Sequence, residues 1–334
     1  MHRRLKYLVG CLLLVSIPAS VAQQAPPPGP GAGQRVPVAK QLAAVPDLDK
    51  RLADLEKALN SVPDQKSTTA TTARYILEAI KEARQDPGAF DPRTAPPNAT
   101  PSERDANASK RGPGAAPRRA VEPHTPPKIS DYVATIGGLT MDFDAALTRA
   151  TRLAAEIKAG RDPLKGATGD LHLAYRSDLD GMLLPYRIYI PTTYKRSQKY
   201  PLIMFLHGAG CDENTFMNSG VLQRAAERHG YIVASVNGRG PLSGYCKENG
   251  AEKDVFDVMG LMQKYYSVDA ESIFLTGHSM GGVGTWRIGL DYRDRFAALA
   301  PMAGTRLSVD LDAKLPSGRR IPILRACQKI NRTS

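Results

Sequence analysis

A serine flanked by glycines constrains the fold of this chain more than any other feature. Its turn reads G-H-S-M-G from Gly277 to Gly281. An apolar run rich in β-forming residues precedes it at 272–276, and helical spacing follows it at 283–290. A turn this sharp strains the serine backbone and leaves no room for side chains two positions away, which explains both glycines. The pattern predicts a strand, an exposed Ser279 hydroxyl, and a helix whose N-terminus favours negative charge there.

The segments around this turn alternate between strand-like and helical patterns. A predicted antiparallel hairpin of 171–176 and 183–190 opens the series. Further strands are expected at 200–206, 231–236, 296–301 and from 321, with helices at 221–229 and 252–266. Alternation at this spacing predicts an α/β fold with a doubly wound, mostly parallel sheet. Ligands of such sheets bind at the carboxyl ends of the strands, where Ser279 stands.

The first half of the chain predicts several shorter units. Residues 1–22 combine a basic start, an apolar core too short to span a bilayer and a small-residue cleavage site, so we expect a signal peptide and a secreted or periplasmic protein. The predicted boundaries are a signal peptide at 1–22, a disordered linker at 23–46, an N-terminal helical appendage at 47–85, a proline-rich linker at 86–128 and the α/β domain at 129–334. A further amphipathic helix is predicted at 143–157, within the last unit.

Charge and composition exclude several classes of function. The formal net charge is +12, but the basic residues form no stripe on a helix face, so we expect no nucleic-acid partner. Beyond the leader, no stretch is apolar enough to cross a membrane. We expect no cofactor and no metal, because the sequence has neither a phosphate-binding loop nor ligands at metal-site spacing.

A second motif follows the strand predicted at 200–206, where the sequence reads L-H-G-A-G from Leu206 to Gly210. A loop of small residues can aim backbone N–H groups at a developing oxyanion, and the partner donor would be the N–H of Met280. Together with T-G-H-S-M-G-G-V-G-T-W from Thr276 to Trp286, it resembles the α/β-hydrolase superfamily. Within that superfamily the chain looks like secreted esterases and predicted peptidases related to polyhydroxybutyrate depolymerases, feruloyl esterases and prolyl-oligopeptidase catalytic domains.

The resemblance covers about residues 171–324 and implies a site and a reaction. Ser279 would be the nucleophile, and the backbone N–H groups of Ala209 and Met280 would hold the oxyanion. His207 would shape the loop, and His278 would pack the turn. The implied function is a secreted serine hydrolase that cleaves carboxylic ester or peptide bonds, in a small molecule or a polymer, through an acyl-serine. Ester and peptide substrates stay undecided, because loops such as 237–250 build the acyl pocket.

The sequence departs from the family where the rest of the triad belongs. Family order places an acid and then a histidine after the serine. All six histidines precede Ser279: His2, His124, His172, His207, His229 and His278. The candidate acids are Asp310 and Asp312, and the general base is unknown.

Two interpretations of this departure stay open. We favour a fragment or frameshifted product that lacks the last strands and helices of the fold, because the strand from 321 runs abruptly into polar sequence. The alternative is a non-catalytic protein of the same fold that binds a carbohydrate ester or an envelope component. The fold would also bring Cys211 and Cys246 into neighbouring loops, which permits a disulfide after export; two free thiols are the alternative.

Overall fold

One mixed sheet of six strands organises the chain, for which a computed structural model describes residues 36–90, 128–129, 141–304 and 321–324. The strands lie in the order β1-β2-β4-β3-β5-β6, and β2 runs against the other five. They are β1 (Gly169–Arg176), β2 (Leu183–Ile190), β3 (Tyr200–Leu206), β4 (Ile232–Val236), β5 (Val268–His278) and β6 (Ala298–Met302). The predicted hairpin and the doubly wound, mostly parallel sheet are confirmed.

Seven α-helices surround the sheet in the described part of the chain. They are α1 (Val38–Ala43), α2 (Leu48–Asn60), α3 (Thr68–Gln85), α4 (Phe143–Lys158), α5 (Val221–His229), α6 (Ala251–Tyr265) and α7 (Met280–Asp291). No helix among the described residues is both long and apolar enough to cross a bilayer.

The central strands are buried on both faces. Every residue of β3, β4 and β6 is buried, as expected of parallel strands covered by helices on each side. Alternate residues of β3 face different cores: Met204 packs in the core that includes α6 and α7, and Phe205 packs in the core that includes α5. This two-sided packing fixes the carboxyl ends of β3 and β5, which carry both sequence motifs.

Helices α1 to α4 form a separate helical layer with its own apolar core. Leu55 of α2, Leu77 of α3 and Leu147 of α4 are each at most 1% exposed and belong to one cluster. The layer is joined to the sheet through α3. The hydroxyl of Thr71 donates to the carbonyl of Ala174 in β1 at 2.7 Å, and the N–H of Ala174 donates to the Thr72 hydroxyl at 3.0 Å.

Two helices pack across the predicted domain boundaries, which stay predictions. Part of the predicted linker at 23–46 is helical, because Val38 and Leu42 of α1 lie one turn apart and both are buried in the helical layer. Helix α4 was assigned to the α/β domain, yet its apolar face packs against α2 and α3. The signal peptide predicted at 1–22 lies outside the described residues.

The segment predicted to begin another strand at 321 pairs with β6. Ile323 forms a parallel bridge with Leu299. The N–H of Leu299 donates to the Pro322 carbonyl at 3.0 Å, and the N–H of Leu324 donates to the Leu299 carbonyl at 2.9 Å. Residues 321–324 therefore extend the sheet beyond β6.

Candidate active site

The turn between β5 and α7 has the geometry that its two glycines predict. Ser279 has φ 53° and ψ −111°, a strained conformation for a residue with a side chain. A Cβ atom at Gly277 would lie 2.5 Å from the Gly281 carbonyl oxygen, and one at Gly281 would lie 2.1 Å from the Leu206 carbonyl oxygen. Any larger residue would force these backbones apart. Because both glycines lack a side chain, the start of α7 can lie in direct backbone contact with the end of β3.

The Ser279 side chain stands at the carboxyl edge of the sheet and is partly exposed. Its backbone N–H donates to the Met302 carbonyl at the end of β6, at 2.9 Å. Its hydroxyl makes no hydrogen bond to any described residue. The following residue, Met280, begins α7, so the positive end of that helix lies beside the hydroxyl.

The loop after β3 lies directly against this serine. A Cβ atom at Gly208 would lie 3.7 Å from the Ser279 Cβ. Within the described residues, the N–H groups of Ala209 and Met280 donate to no acceptor, whereas that of Gly210 donates to the Pro241 carbonyl at 2.8 Å. Two amides that have no acceptor among these residues, beside a partly exposed serine, can stabilise a negatively charged oxygen.

Tyr245 braces this loop from within the protein. It is fully buried, with φ 53°, and its hydroxyl accepts a hydrogen bond from the N–H of His207 at 2.8 Å. Its ring packs so closely that a Cβ atom at Gly284 in α7 would lie 3.0 Å from it, and one at Gly238 would lie 2.3 Å from it. Tyr245 therefore connects the end of β3, the loop after β4, and α7.

The imidazole of His207 is held by the backbone. Its Nε2 lies 2.7 Å from the Asn237 carbonyl oxygen, and its Nδ1 lies 2.9 Å from the Gly208 carbonyl oxygen. Burial lowers the pKa of this ring, although the two carbonyl contacts act in the opposite direction. The neutral ring donates to only one of these two carbonyls. Neither nitrogen is hydrogen-bonded to Ser279.

A buried acid supports the same loop. The two carboxyl oxygens of Glu213 accept hydrogen bonds from the amides of Asn214 and Asn237, each at 2.7 Å. Burial, and then the charge of Asp212, raise the pKa of Glu213 to about 8 from its ordinary 4.5. The Asn237 side chain also accepts from the N–H of Gly240 at 2.9 Å. These bonds tie the loop after β3 to the loop after β4.

The described residues bring no acid–base pair to Ser279. The ring of His278 packs against Phe216 with centroids 5.5 Å apart, and burial lowers the pKa of its imidazole. His172 lies on β1, and His229 ends α5. The candidate acids Asp310 and Asp312 lie outside the described residues.

The two cysteines near the site are free thiols. Cys211 and Cys246 are both partly buried and form no disulfide in the structure. The Cys246 sulfur instead accepts a hydrogen bond from Nη1 of Arg287 at 3.1 Å. Among the described residues, no group of three or more His, Cys, Asp or Glu side chains is placed to hold a metal ion.

A cavity of about 170 Å³ lies on the other side of the loop that follows β3. Its walls come from α3, α4, the β1–β2 pair and that loop, through residues that include Tyr75, Arg149, Tyr186 and Glu213. Ser279 does not line it. We therefore place the candidate reaction at the open edge beside Ser279 and not in this cavity.

The sheet order, the reversed β2 and the strained serine between β5 and α7 together make this an α/β-hydrolase fold, and the predicted resemblance to that superfamily is confirmed. No protein-family profile matches the sequence. Individual esterases and related hydrolases are similar to parts of this chain in sequence or in structure.

Two characterised proteins share part of the sequence. Over 105 residues the chain is 28% identical to a bifunctional acetylxylan esterase/xylanase of Neocallimastix patriciarum, covering 31% of this chain and 16% of that protein. Over 153 residues it is 26% identical to an S-formylglutathione hydrolase of Arabidopsis thaliana, covering 38% of this chain and 54% of that protein. The chain thus spans about half or less of the length of these relatives. Among solved structures, a thermostable esterase is 25% identical with a TM-score of 0.39, covering 47% of this chain and 45% of that one.

Proposed function

We propose that this protein hydrolyses carboxylic esters through an acyl-serine formed on Ser279. The observation that carries the proposal is the partly exposed Ser279 beside the N–H groups of Ala209 and Met280, which have no acceptor among the described residues. An ester is favoured over a peptide because the two sequence relatives are an esterase-containing enzyme and an S-formylglutathione hydrolase. Export through residues 1–22 stays a prediction of the sequence.

In the proposed reaction, Oγ of Ser279 attacks the ester carbonyl carbon. The carbonyl oxygen gains negative charge, which the N–H groups of Ala209 and Met280 and the N-terminus of α7 stabilise. The bond between the carbonyl carbon and the alcohol oxygen breaks, and the alcohol leaves with a proton from solvent. Water then attacks the acyl-serine, which releases the acid and restores the Ser279 hydroxyl. Among the described residues, none accepts a hydrogen bond from Oγ. We propose that solvent accepts the proton of Oγ and that turnover is slow. Enzymes that lose a triad member keep a residual rate of roughly 10³–10⁴ over water from the oxyanion hole and binding.

A fluorophosphonate probe and p-nitrophenyl acetate test this proposal. We expect slow labelling on Ser279, identified by peptide mass spectrometry, and slow ester hydrolysis on the order of 10³ above the uncatalysed rate. Both should vanish in Ser279→Ala. Ser272→Ala offers a matched control, because Ser272 lies in the same strand but bonds to Asp269. If the folded wild-type protein neither labels nor hydrolyses, the non-catalytic binding function is favoured instead.

A further inference from the structure

The cavity of about 170 Å³ lies between the helical layer and the loop that follows β3. On the loop side, its wall is made by Asp212, Glu213 and Asn214, which follow the oxyanion donor Ala209 closely in the chain. A cavity of roughly 150 Å³ is large enough to hold a benzene molecule. This cavity therefore has room for a small organic ligand, at a place separate from Ser279.

Arg149 of α4 is the only arginine or lysine in the described wall of this cavity. Its Nη2 donates to the carbonyl of His172 on β1 at 2.9 Å, and it forms no ion pair with a described residue. Burial, and then the charge of Arg152 on the next turn of α4, lower the pKa of Arg149. A guanidinium has five N–H groups, so several remain available to a ligand. A partly buried cation without a counter-ion favours an anion in the space beside it.

Tyr75 of α3 offers a second hydrogen-bond donor to the same cavity. Its hydroxyl forms no hydrogen bond to any described residue. Burial raises the pKa of Tyr75, and the charges of Glu213 and Asp212 raise it further, so the hydroxyl keeps its proton. A protonated hydroxyl can donate to a carboxylate oxygen.

The two acids in the wall are already bound to donors of the protein itself. Oδ1 of Asp212 accepts from the N–H groups of Asn214 at 2.9 Å and Thr215 at 3.1 Å, and from the Thr215 hydroxyl at 3.1 Å. Both carboxyl oxygens of Glu213 accept from side-chain amides, and burial favours its neutral form. These bonds reduce the repulsion that the two acids would exert on an anionic ligand.

Most of the remaining wall is apolar, from Ile76, Met141, Ala146, Leu173, Pro185 and Tyr186. We propose that this cavity binds a small monocarboxylic acid, whose carboxylate meets Arg149 and Tyr75 and whose apolar body, about the size of one six-membered ring, packs on the other walls. A single carboxylate matches the planar fork of a guanidinium, which can donate two parallel hydrogen bonds to it. This inference goes beyond ester hydrolysis at Ser279 and does not depend on it.

Three probes of one size test the charge selectivity of the cavity: benzoate, benzamide and benzylamine. In titrations followed by ligand-observed NMR, benzoate should bind with a Kd on the order of 1 mM. Benzamide keeps the ring but lacks the charge, so it should bind at least ~tenfold more weakly. Benzylamine carries the opposite charge and should bind more weakly still. A benzylamine affinity equal to or above that of benzoate would overturn the inference.

Four variants locate the benzoate in the cavity. Arg149→Gln should weaken its binding at least ~tenfold, and Tyr75→Phe, which removes only a hydroxyl, should weaken it several-fold. Ala146→Leu should abolish binding, because the larger side chain fills the cavity while Arg149 stays in place. Lys158→Gln is the matched control, since it removes the same charge from an exposed position of α4, and it should leave the affinity unchanged.

The Ser279→Ala protein should bind benzoate as the wild type does, so the result is independent of the proposed hydrolysis. Thermal melts check that each variant is folded, and Tyr75→Phe replaces Arg149→Gln in the comparison if the latter unfolds. The inference is wrong if the wild-type protein does not bind benzoate. It is also wrong if binding survives Ala146→Leu, because the ligand would then lie outside the cavity.

Discussion

The edge that carries Ser279 and the helical layer of α1 to α4 are held together by different kinds of contact. At the edge, backbones touch: the carbonyl of Leu206 leaves no space for a Cβ at Gly281, and the N–H of His207 is bound by the buried hydroxyl of Tyr245. In the helical layer, side chains such as those of Leu55 and Leu77 fill the space between helices. The structure of the Ser279 edge therefore requires one residue type at each of several positions, whereas the helical layer requires only that apolar side chains of suitable volume fill its core.

This difference has a physical origin. A side chain in a helical core can be replaced by another of similar volume at a cost usually below about 1.5 kcal/mol. A glycine at a backbone contact has no such substitute, because every other residue adds a Cβ. Predictions that contrast the two regions follow in order of expected size.

Gly281→Ala should produce the largest effect. Its Cβ would clash with the carbonyls of Leu206 and His207, so α7 must shift away from β3 and the Ser279 hydroxyl must leave the oxyanion donors. We expect a loss of about 4 kcal/mol in the free energy of unfolding and at least ~100-fold slower probe labelling. Denaturant unfolding and labelling kinetics measure the two quantities.

Gly260→Ala is the matched control for this substitution. Gly260 lies inside α6, and a Cβ there would meet nothing within 4 Å. Alanine should raise the free energy of unfolding by roughly 0.5–1 kcal/mol because it favours a helix over glycine. If both variants lost the same free energy of unfolding, backbone contact would not be the reason that position 281 requires glycine.

Leu77→Ala should destabilise the helical layer by about 3 kcal/mol, through lost burial and the cavity left behind. Leu77 is fully buried in α3 and distant in sequence from both motifs. The labelling rate per folded molecule should stay unchanged, which distinguishes this variant from Gly281→Ala. Lys57→Ala, at an exposed position of α2, should change the free energy of unfolding by less than about 0.5 kcal/mol. A labelling rate that falls with Leu77→Ala would show that the layer also positions the nucleophile.

A smaller, pH-dependent effect on stability should have opposite signs for Asp254 in α6 and for Glu56 in the helical layer. Burial raises the pKa of Asp254, at the start of α6, to about 7 from its ordinary 3.8, despite the charge of Arg239 with Nε at 3.3 Å. The folded state thus keeps a proton that the unfolded state releases near pH 4. The stability this group contributes is fully present below pH 4 and is lost as pH rises to about 7, by at most about 1.4 kcal/mol per pH unit.

The measurement is the difference in free energy of unfolding between wild type and Asp254→Asn, which should fall from pH 4.5 to pH 7.5 and then level off. In the helical layer, the surface pair with Lys81 lowers the pKa of Glu56. Any contribution from Glu56 is present above its ordinary pKa and is lost on acidification, so Glu56→Gln should show the opposite trend. A flat difference for Asp254→Asn would mean that its carboxyl group is ionised in the folded protein.

The sequence predicted the features of this fold that depend on residues close together in the chain. The turn at Ser279 was predictable because its constraint acts within five residues, and β3 and α5 have the predicted bounds. The packing of α4 against α2 and α3 was not predictable. A hydrophobic period of 3.6 residues shows which face of a helix is apolar, but not which element covers that face. The bracing by Tyr245, Asn237 and Glu213 was also missed, because its hydrogen bonds join residues 24 to 38 positions apart. The one feature of the sequence that pointed to these contacts was the glycine-rich loop 237–250, which contains Tyr245 and Asn237.

The threonine hydroxyls on β1 have a consequence for how the protein behaves in solution. The N–H and carbonyl of Ala174 face away from β2, and an outer strand with free groups of this kind can recruit a strand from another chain. Thr71 and Thr72 occupy both groups. A second copy of the chain could add a strand to the sheet at this point only by displacing α3. The helical layer therefore also blocks strand addition at Ala174.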